Sequence, residues 1–275
     1  MNRIERKFAL LKDQGKKALI PFVTAGDPDL ATTEKLVPAL FASGADLVEI
    51  GVPFSDPVAE GPVIQKASKR ALDSGTTLVK IFEMVGRLRR HTDEPLLLML
   101  YLNSIFRFGK ERFFRLCVEN GVDGVIVADM PYEERDEIEA EAEKSGVISV
   151  SMVAPTSHGR IAMIASAAKG FLYCVSSTGV TGMRTNFNTD FQEFFGTIQK
   201  YAKVPCAVGF GISNPEQAKR MAVYCDGVIV GSAVVSLVER DGRNAVPAVS
   251  KFVQNLKKAI EKDGLACKSK KIFEK

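Results

Sequence analysis

The chain has 275 residues, 46% of them hydrophobic, with 37 basic and 33 acidic residues and a formal net charge of +4. That apolar content is ample for a packed core, and the charges are mixed along the chain without the basic block or aromatic-interleaved basic stripe that nucleic acid requires, which argues against nucleic-acid binding. The five cysteines (117, 174, 206, 225 and 267) show no CxxC spacing and read as reduced, buried thiols of a cytoplasmic protein, while His91 and His158 are too few to build a zinc site by themselves.

The N-terminal stretch MNRIERKFALLKDQGKK is too charged for a signal peptide, and no 18-residue apolar run predicts a membrane anchor. Ile4, Phe8 and Leu11 fall on one face at spacings of four and three, which predicts a short amphipathic helix over about 2–14 that plugs something apolar. Short apolar runs then recur at 18–26, 45–53, 94–103, 121–130, 147–155, 170–178, 204–211 and 225–234. Charged segments of helical period separate them, among them 110–121 and 131–146, each closing on Gly or Pro. Strands alternating with helices imply right-handed βαβ units and a parallel sheet covered on both faces. Eight such repeats close most economically into an α/β (β/α)8 TIM barrel, and with no linker or composition break the expectation is one domain over 1–275. The basic tail at 267–275 is read as a frayed terminus.

In this barrel class the active site lies at the C-terminal ends of the strands, and the unusual residues collect there. Asp27 follows the first run, Tyr101 and Asn103 end the third, Asp129 ends the fourth, and Tyr173 sits in the sixth. Glu49 stands inside the apolar second run, where an ionised carboxylate costs several kcal/mol unless paired or protonated. Leu47, Glu49 and Gly51 share one strand face. The lumen is favoured for that face, because Val48, Ile50 and Val52 make a sound helix-facing row. The ordinary alternative is a buried ion pair, yet no strand interior offers a cation; the functional reading is a carboxyl whose raised pKa lets it donate and accept a proton near neutral pH. Asp56 and Glu60, in a Pro-rich loop, read equally well as solvated surface charges.

Glycine-rich stretches form a second group. GFGIS (209–213) and VGSAV (230–234) end the seventh and eighth runs and lead toward helix starts, the usual phosphate corner of this barrel class. SSTGVTGMR (176–184) is a loop of small polar residues able to close over a ligand.

PFVTAGDP (21–28), EIGVPFSDPVAEGPVIQ (49–65), GVTG (179–182), GFGIS (209–213) and GSA (231–233) resemble, in order and spacing, the signature stretches of the tryptophan synthase alpha subunit, over about residues 4–260. The resemblance implies a lyase that cleaves indole-3-glycerol phosphate to indole and glyceraldehyde 3-phosphate. It further implies an alpha2beta2 heterotetramer that passes indole through a tunnel to a beta subunit using pyridoxal phosphate, with no cofactor in this chain. By the same resemblance Glu49 is the catalytic glutamate that shuttles protons. Glu60 stands where the family usually has aspartate, accepting from the indole N–H with one methylene of extra reach. Phe22 and Tyr173 line the indole pocket, Thr181 contacts the Glu60 loop, backbone N–H groups of Gly182, Gly211, Gly231 and Ser232 with the Ser232 hydroxyl hold phosphate, and Asp56 faces the partner. The residues alone agree with carboxylate acid–base chemistry, since no lysine ends a strand to form a Schiff base. Two other readings stand beside this one. A phosphosubstrate isomerase would need an Asp or Cys pair at strands one and five, which end here in TAGD and APT; the second is a non-catalytic activator of a beta partner. A standalone lyase that releases free indole is a variant of the first reading.

Overall fold

The computed structural model describes residues 1–175, 191–209 and 211–261. Its sheet is parallel throughout and contains β1 (Ala18–Thr24), β2 (Val48–Gly51), β3 (Leu96–Leu100), β4 (Gly124–Val127), β5 (Ile148–Ser149), β6 (Met152–Val153), β7 (Leu172–Val175), β8 (Cys206–Gly209) and β9 (Gly227–Val230). The order is β5-β4-β3-β2-β1-β9-β8-β7-β6. Its two ends are consecutive in the chain, so β5 and β6 are halves of one strand, and the sheet closes into the expected barrel. That fifth strand divides because its first half is laddered to β4 and its second to β7. Val150 donates to the Val125 carbonyl at 2.9 Å, and the Ser151 carbonyl accepts from Tyr173 at 3.0 Å.

The period of two sorts the strand residues into layers. Val48, Ile50, Leu96, Leu98, Val125, Val208 and Val228 pack outward against the helices. Ile20, Leu47, Leu97, Ile126, Ile148, Phe171, Ala207 and Ile229 fill the lumen together with Ile4, Phe8 and Leu11 of the N-terminal helix Arg3–Gln14. That helix is the expected plug. Asn2 caps it by accepting from the Ile4 N–H, Glu5 completes a capping box, and Gly15 ends it in the left-handed region at φ 65.

The floor is stitched by a repeated aspartate. Asp46, Asp123 and Asp226 each stand just before a strand and accept a backbone N–H from the preceding strand, from Leu19 at 2.8 Å, Leu96 at 2.9 Å and Cys206 at 3.0 Å. Lys257 pairs with Asp46 at 2.7 Å, and Arg89 and Arg3 pair with Asp123 at 2.9 and 3.0 Å, so two of these carboxylates are neutralised where they are buried. The N-terminal helix thus fills the lower lumen, at the end of the barrel away from the C-terminal strand ends.

Candidate active site

Glu49 sits one lumen step above Leu47 on β2. It is 0% exposed, and among the described residues no group donates to either carboxyl oxygen. The ion-pair alternative is therefore not realised. Burial alone pushes this carboxyl up to about 8, so it is an acid near neutral pH and a strong base once its proton is gone.

Aromatic rings flank it. Phe22, opposite Glu49 in the β1–β2 register, lays its ring over Gly51, where a β-carbon would lie 2.3 Å from the ring. Any side chain at 51 would expel that ring. Gly231 lies on the other flank of Phe22, and Ile64, Ala67 and Val235 cover the ring from two helices. Tyr173 is buried beside Gly209. Burial first, then the Glu49 charge, raises its phenol well above the ordinary range, so it stays a neutral wall of the site.

The loop between β2 and the helix Pro62–Asp73 holds Glu60 in place. The Tyr101 ring stacks on Phe54 at 4.8 Å and 19°, and its hydroxyl oxygen accepts the Ala59 N–H at 3.0 Å. The Glu60 N–H donates to the Pro57 carbonyl at 3.0 Å, and Gln65 donates to the Glu60 carbonyl at 2.8 Å. With its backbone held on both sides, Glu60 turns its carboxylate into shelter: Oε2 is buried without a donor among the described residues, and burial pushes the group up to about 7. Glu60 is thus no solvated surface charge. Asp56, by contrast, is exposed and accepts from Ser55 at 2.6 Å.

At the opposite side, Gly211 takes φ +64, a left-handed conformation glycine adopts freely. The helix Pro215–Ala222 behind it is capped by its own Asn214, which accepts from Gln217, and the Ser213 N–H donates to the Gln217 side chain at 2.8 Å. One N–H of that helix start, that of Gln217, is thereby used by its own cap. The helix Ser232–Asp241, by contrast, starts at Gly231 with no side-chain cap, so its first N–H groups have no side-chain acceptor among the described residues. Thr181 and Gly182 lie outside the described residues, as do Cys267 and the basic tail.

The sequence reading missed Thr24 and, for Asp27, its partner. Thr24, two residues beyond Phe22 on the same face of β1, buries a hydroxyl without a partner among the described residues; the period of two was the signal for it. Asp27 is 2% exposed and held by both arms of Arg70, at 2.7 and 2.9 Å, a pairing across 43 residues that no local pattern announces. Among the described residues three groups, Thr24, Glu49 and Glu60, bury oxygens without a partner, and the β1–β2 register sets Thr24 and Glu49 on neighbouring strands.

A sequence model of the family described as Tryptophan synthase alpha chain matches residues 8–262. A Tryptophan synthase alpha chain from Geobacter sp. (strain M21) is 48% identical over 264 residues, 95% of this chain and 99% of the relative. The crystal structure of tryptophan synthase subunit alpha from Legionella pneumophila str. Paris superposes with a TM-score of 0.85 at 36% identity, covering 94% of this chain and 98% of that one. A chain of the tryptophan synthase complex from Pyrococcus furiosus gives a TM-score of 0.80 at 35% identity, over 88% and 98%.

Proposed function

We propose, from the premise that this chain belongs to the tryptophan synthase alpha chain family and is the lyase cleaving indole-3-glycerol phosphate to indole and glyceraldehyde 3-phosphate, a division of that chemistry between Glu49 and Glu60. Protonated Glu49 gives its proton to C3 of the indole ring, and positive charge develops at the ring nitrogen, whose N–H the Glu60 carboxylate accepts. The Glu49 carboxylate then takes the proton of the hydroxyl on the attached carbon. That O–H electron pair becomes the aldehyde C=O, the carbon–carbon bond breaks, and its electrons return to the ring as neutral indole, with Glu49 protonated again. The carrying observation is Glu49 itself, a lumen carboxyl pushed up to about 8 by burial, with both oxygens unpartnered among the described residues.

In this reading Phe22 and Tyr173 sandwich the ring, and the N–H groups of Gly182, Gly211, Gly231 and Ser232 with the Ser232 hydroxyl hold the phosphate. Thr181 braces the Glu60 loop. Exposed Val58 (76%) and Phe106 (44%), with Asp56, offer an apolar and acidic rim beside the mouth to a beta subunit in an alpha2beta2 assembly, a reading supported by the Pyrococcus furiosus chain's belonging to a tryptophan synthase complex. That partner would use pyridoxal phosphate and receive indole through a tunnel. No helix among the described residues is long and apolar enough to cross a membrane. The free, buried cysteines 117, 174, 206 and 225 support a cytoplasmic enzyme, and we read 1–275 as a single domain.

The pH profile tests the division. Catalysis needs Glu60 ionised and Glu49 protonated, so kcat/KM rises as pH climbs through about 7, falls through about 8, and loses its lower limb in Glu60→Gln. A profile flat across both limbs would defeat it.

A further inference from the structure

We propose that Arg70 is a positioning residue for this cleavage, fixing the distance between the Glu60 loop and the phosphate turn at Gly231–Ser232 and so the length of substrate the site accepts. The inference rests on the site reading above. Arg70 lies in the helix Pro62–Asp73, whose first residue follows Glu60 by two positions. Its Nε and one Nη grip the Asp27 carboxylate at 2.7 and 2.9 Å, and the other Nη donates to Glu239 at 3.1 Å. Glu239 belongs to the helix Ser232–Asp241, whose start at Gly231 has no side-chain cap. One guanidinium thereby joins three elements: the turn after β1, the helix carrying the Glu60 loop, and the helix presenting Ser232.

Leverage follows from rigidity. Arg70 lies about 12 Å along its helix from Pro62, and Glu239 about 10 Å along its own from Ser232. The same two helices also meet about one turn or more nearer their starts, where Ile64, Ala67 and Val235 pack with Phe22. They are thus clamped at the ring that walls the indole pocket and again at Arg70. The Ser74 hydroxyl lies 3.3 Å from the Gly26 carbonyl of the same turn, though its nearer acceptor is the Ala71 carbonyl at 2.8 Å. A slip at the outer clamp rotates both helix starts about Phe22 and changes the span between the indole and phosphate ends of the substrate. Lysine keeps the charge but cannot present a planar fork to Asp27 and a further donor to Glu239 at once.

The experiment compares Arg70→Lys with the parent using three probes: indole, glyceraldehyde 3-phosphate, and an unreactive analogue joining an indole ring to a phosphate by three saturated carbons. The expected result is a loss of at least about 10-fold in affinity for the joined analogue and in kcat/KM, with each fragment bound within about 2-fold of the parent, because only a ligand spanning both ends senses the spacing. Analogue affinity within about 2-fold of the parent overturns the proposal. So do fragments that weaken as much as the analogue, the mark of general damage. Glu239→Gln severs only the outer arm and should lose about 3-fold for the analogue alone; no change there is equally fatal. A parent that binds neither fragment overturns instead the site assignment beneath the proposal.

Discussion

Glutamine at position 49 preserves the shape of the side chain and removes its proton, which makes it the sharpest probe of this site. Glu49 titrates at about 8 in the folded chain, against 4.5 for an ordinary glutamate. Between those values the folded protein holds a proton that the unfolded chain has released, so stability falls as pH rises and the loss is complete above about 8. At about 1.4 kcal/mol per pH unit the gap amounts to about 5 kcal/mol as a ceiling, of which about 3 kcal/mol develops between about pH 5 and pH 8. Glu49→Gln has no such slope. Its buried amide carries its own unsatisfied cost, but that offset is independent of pH. Denaturant unfolding of parent and variant at both ends of the range should therefore show the stability difference moving in the variant's favour by about 3 kcal/mol as pH rises. In parallel, the cleavage rate should fall by about 10²- to 10⁴-fold, the usual worth of a general acid–base group. Two parallel stability curves would show that Glu49 does not titrate as a buried acid, and a variant keeping more than about a tenth of the parent rate would remove it from the mechanism.

Gly211→Asp should raise KM for the phosphorylated substrate or abolish its binding while indole still binds, since aspartate tolerates the left-handed conformation at φ +64 but sets a negative charge against the phosphate; equal loss for both ligands in a titration would signal global damage. Glu60→Ala should lower kcat far more than it weakens substrate binding when assayed with the beta partner, and Glu60→Asp should lose part of the activity because the loop is built around the longer side chain. An alanine variant as fast as the parent would leave Glu49 alone in the mechanism. Tyr101→Phe keeps the stack on Phe54 and deletes the acceptor of the Ala59 N–H. Steady-state kinetics should show kcat down about 10-fold and thermal melts a loss of about 1 kcal/mol, whereas an unaltered kcat would mean that this bond does not locate the loop.

What could be read from the sequence follows the reach of its signals. Alternation within VEIG placed Glu49 in the lumen, because a side-chain period of two is a local property that burial enforces. The spacing of Ile4, Phe8 and Leu11 likewise placed the plug. Glu60 was ambiguous for the opposite reason: its shelter is made by Phe54, Tyr101 and Gln65, which come together only when the loop folds back on β3. The divided fifth strand was invisible within the continuous apolar run VISVSMVAP, since the break reflects which neighbour each half pairs with. After GFGIS a helix start was expected, but not that Asn214 would cap it by accepting the Gln217 N–H.

The N-terminal helix has a bearing on chemistry at the far end of the barrel. Phe8 meets Phe171 at 5.5 Å, and Phe171 meets Tyr173 at 6.5 Å, so an unbroken oily column runs from the stopper to the wall beside Glu49. Glu49 owes its weak acidity to dryness alone, with no neighbouring anion needed to hold its proton. The first fourteen residues act in this sense as insulation. They never approach the mouth, yet without them water could enter from below and hydrate the carboxylate, making the acid stronger and leaving it ionised at neutral pH. The proton inventory of the mouth is set partly by a seal at the base.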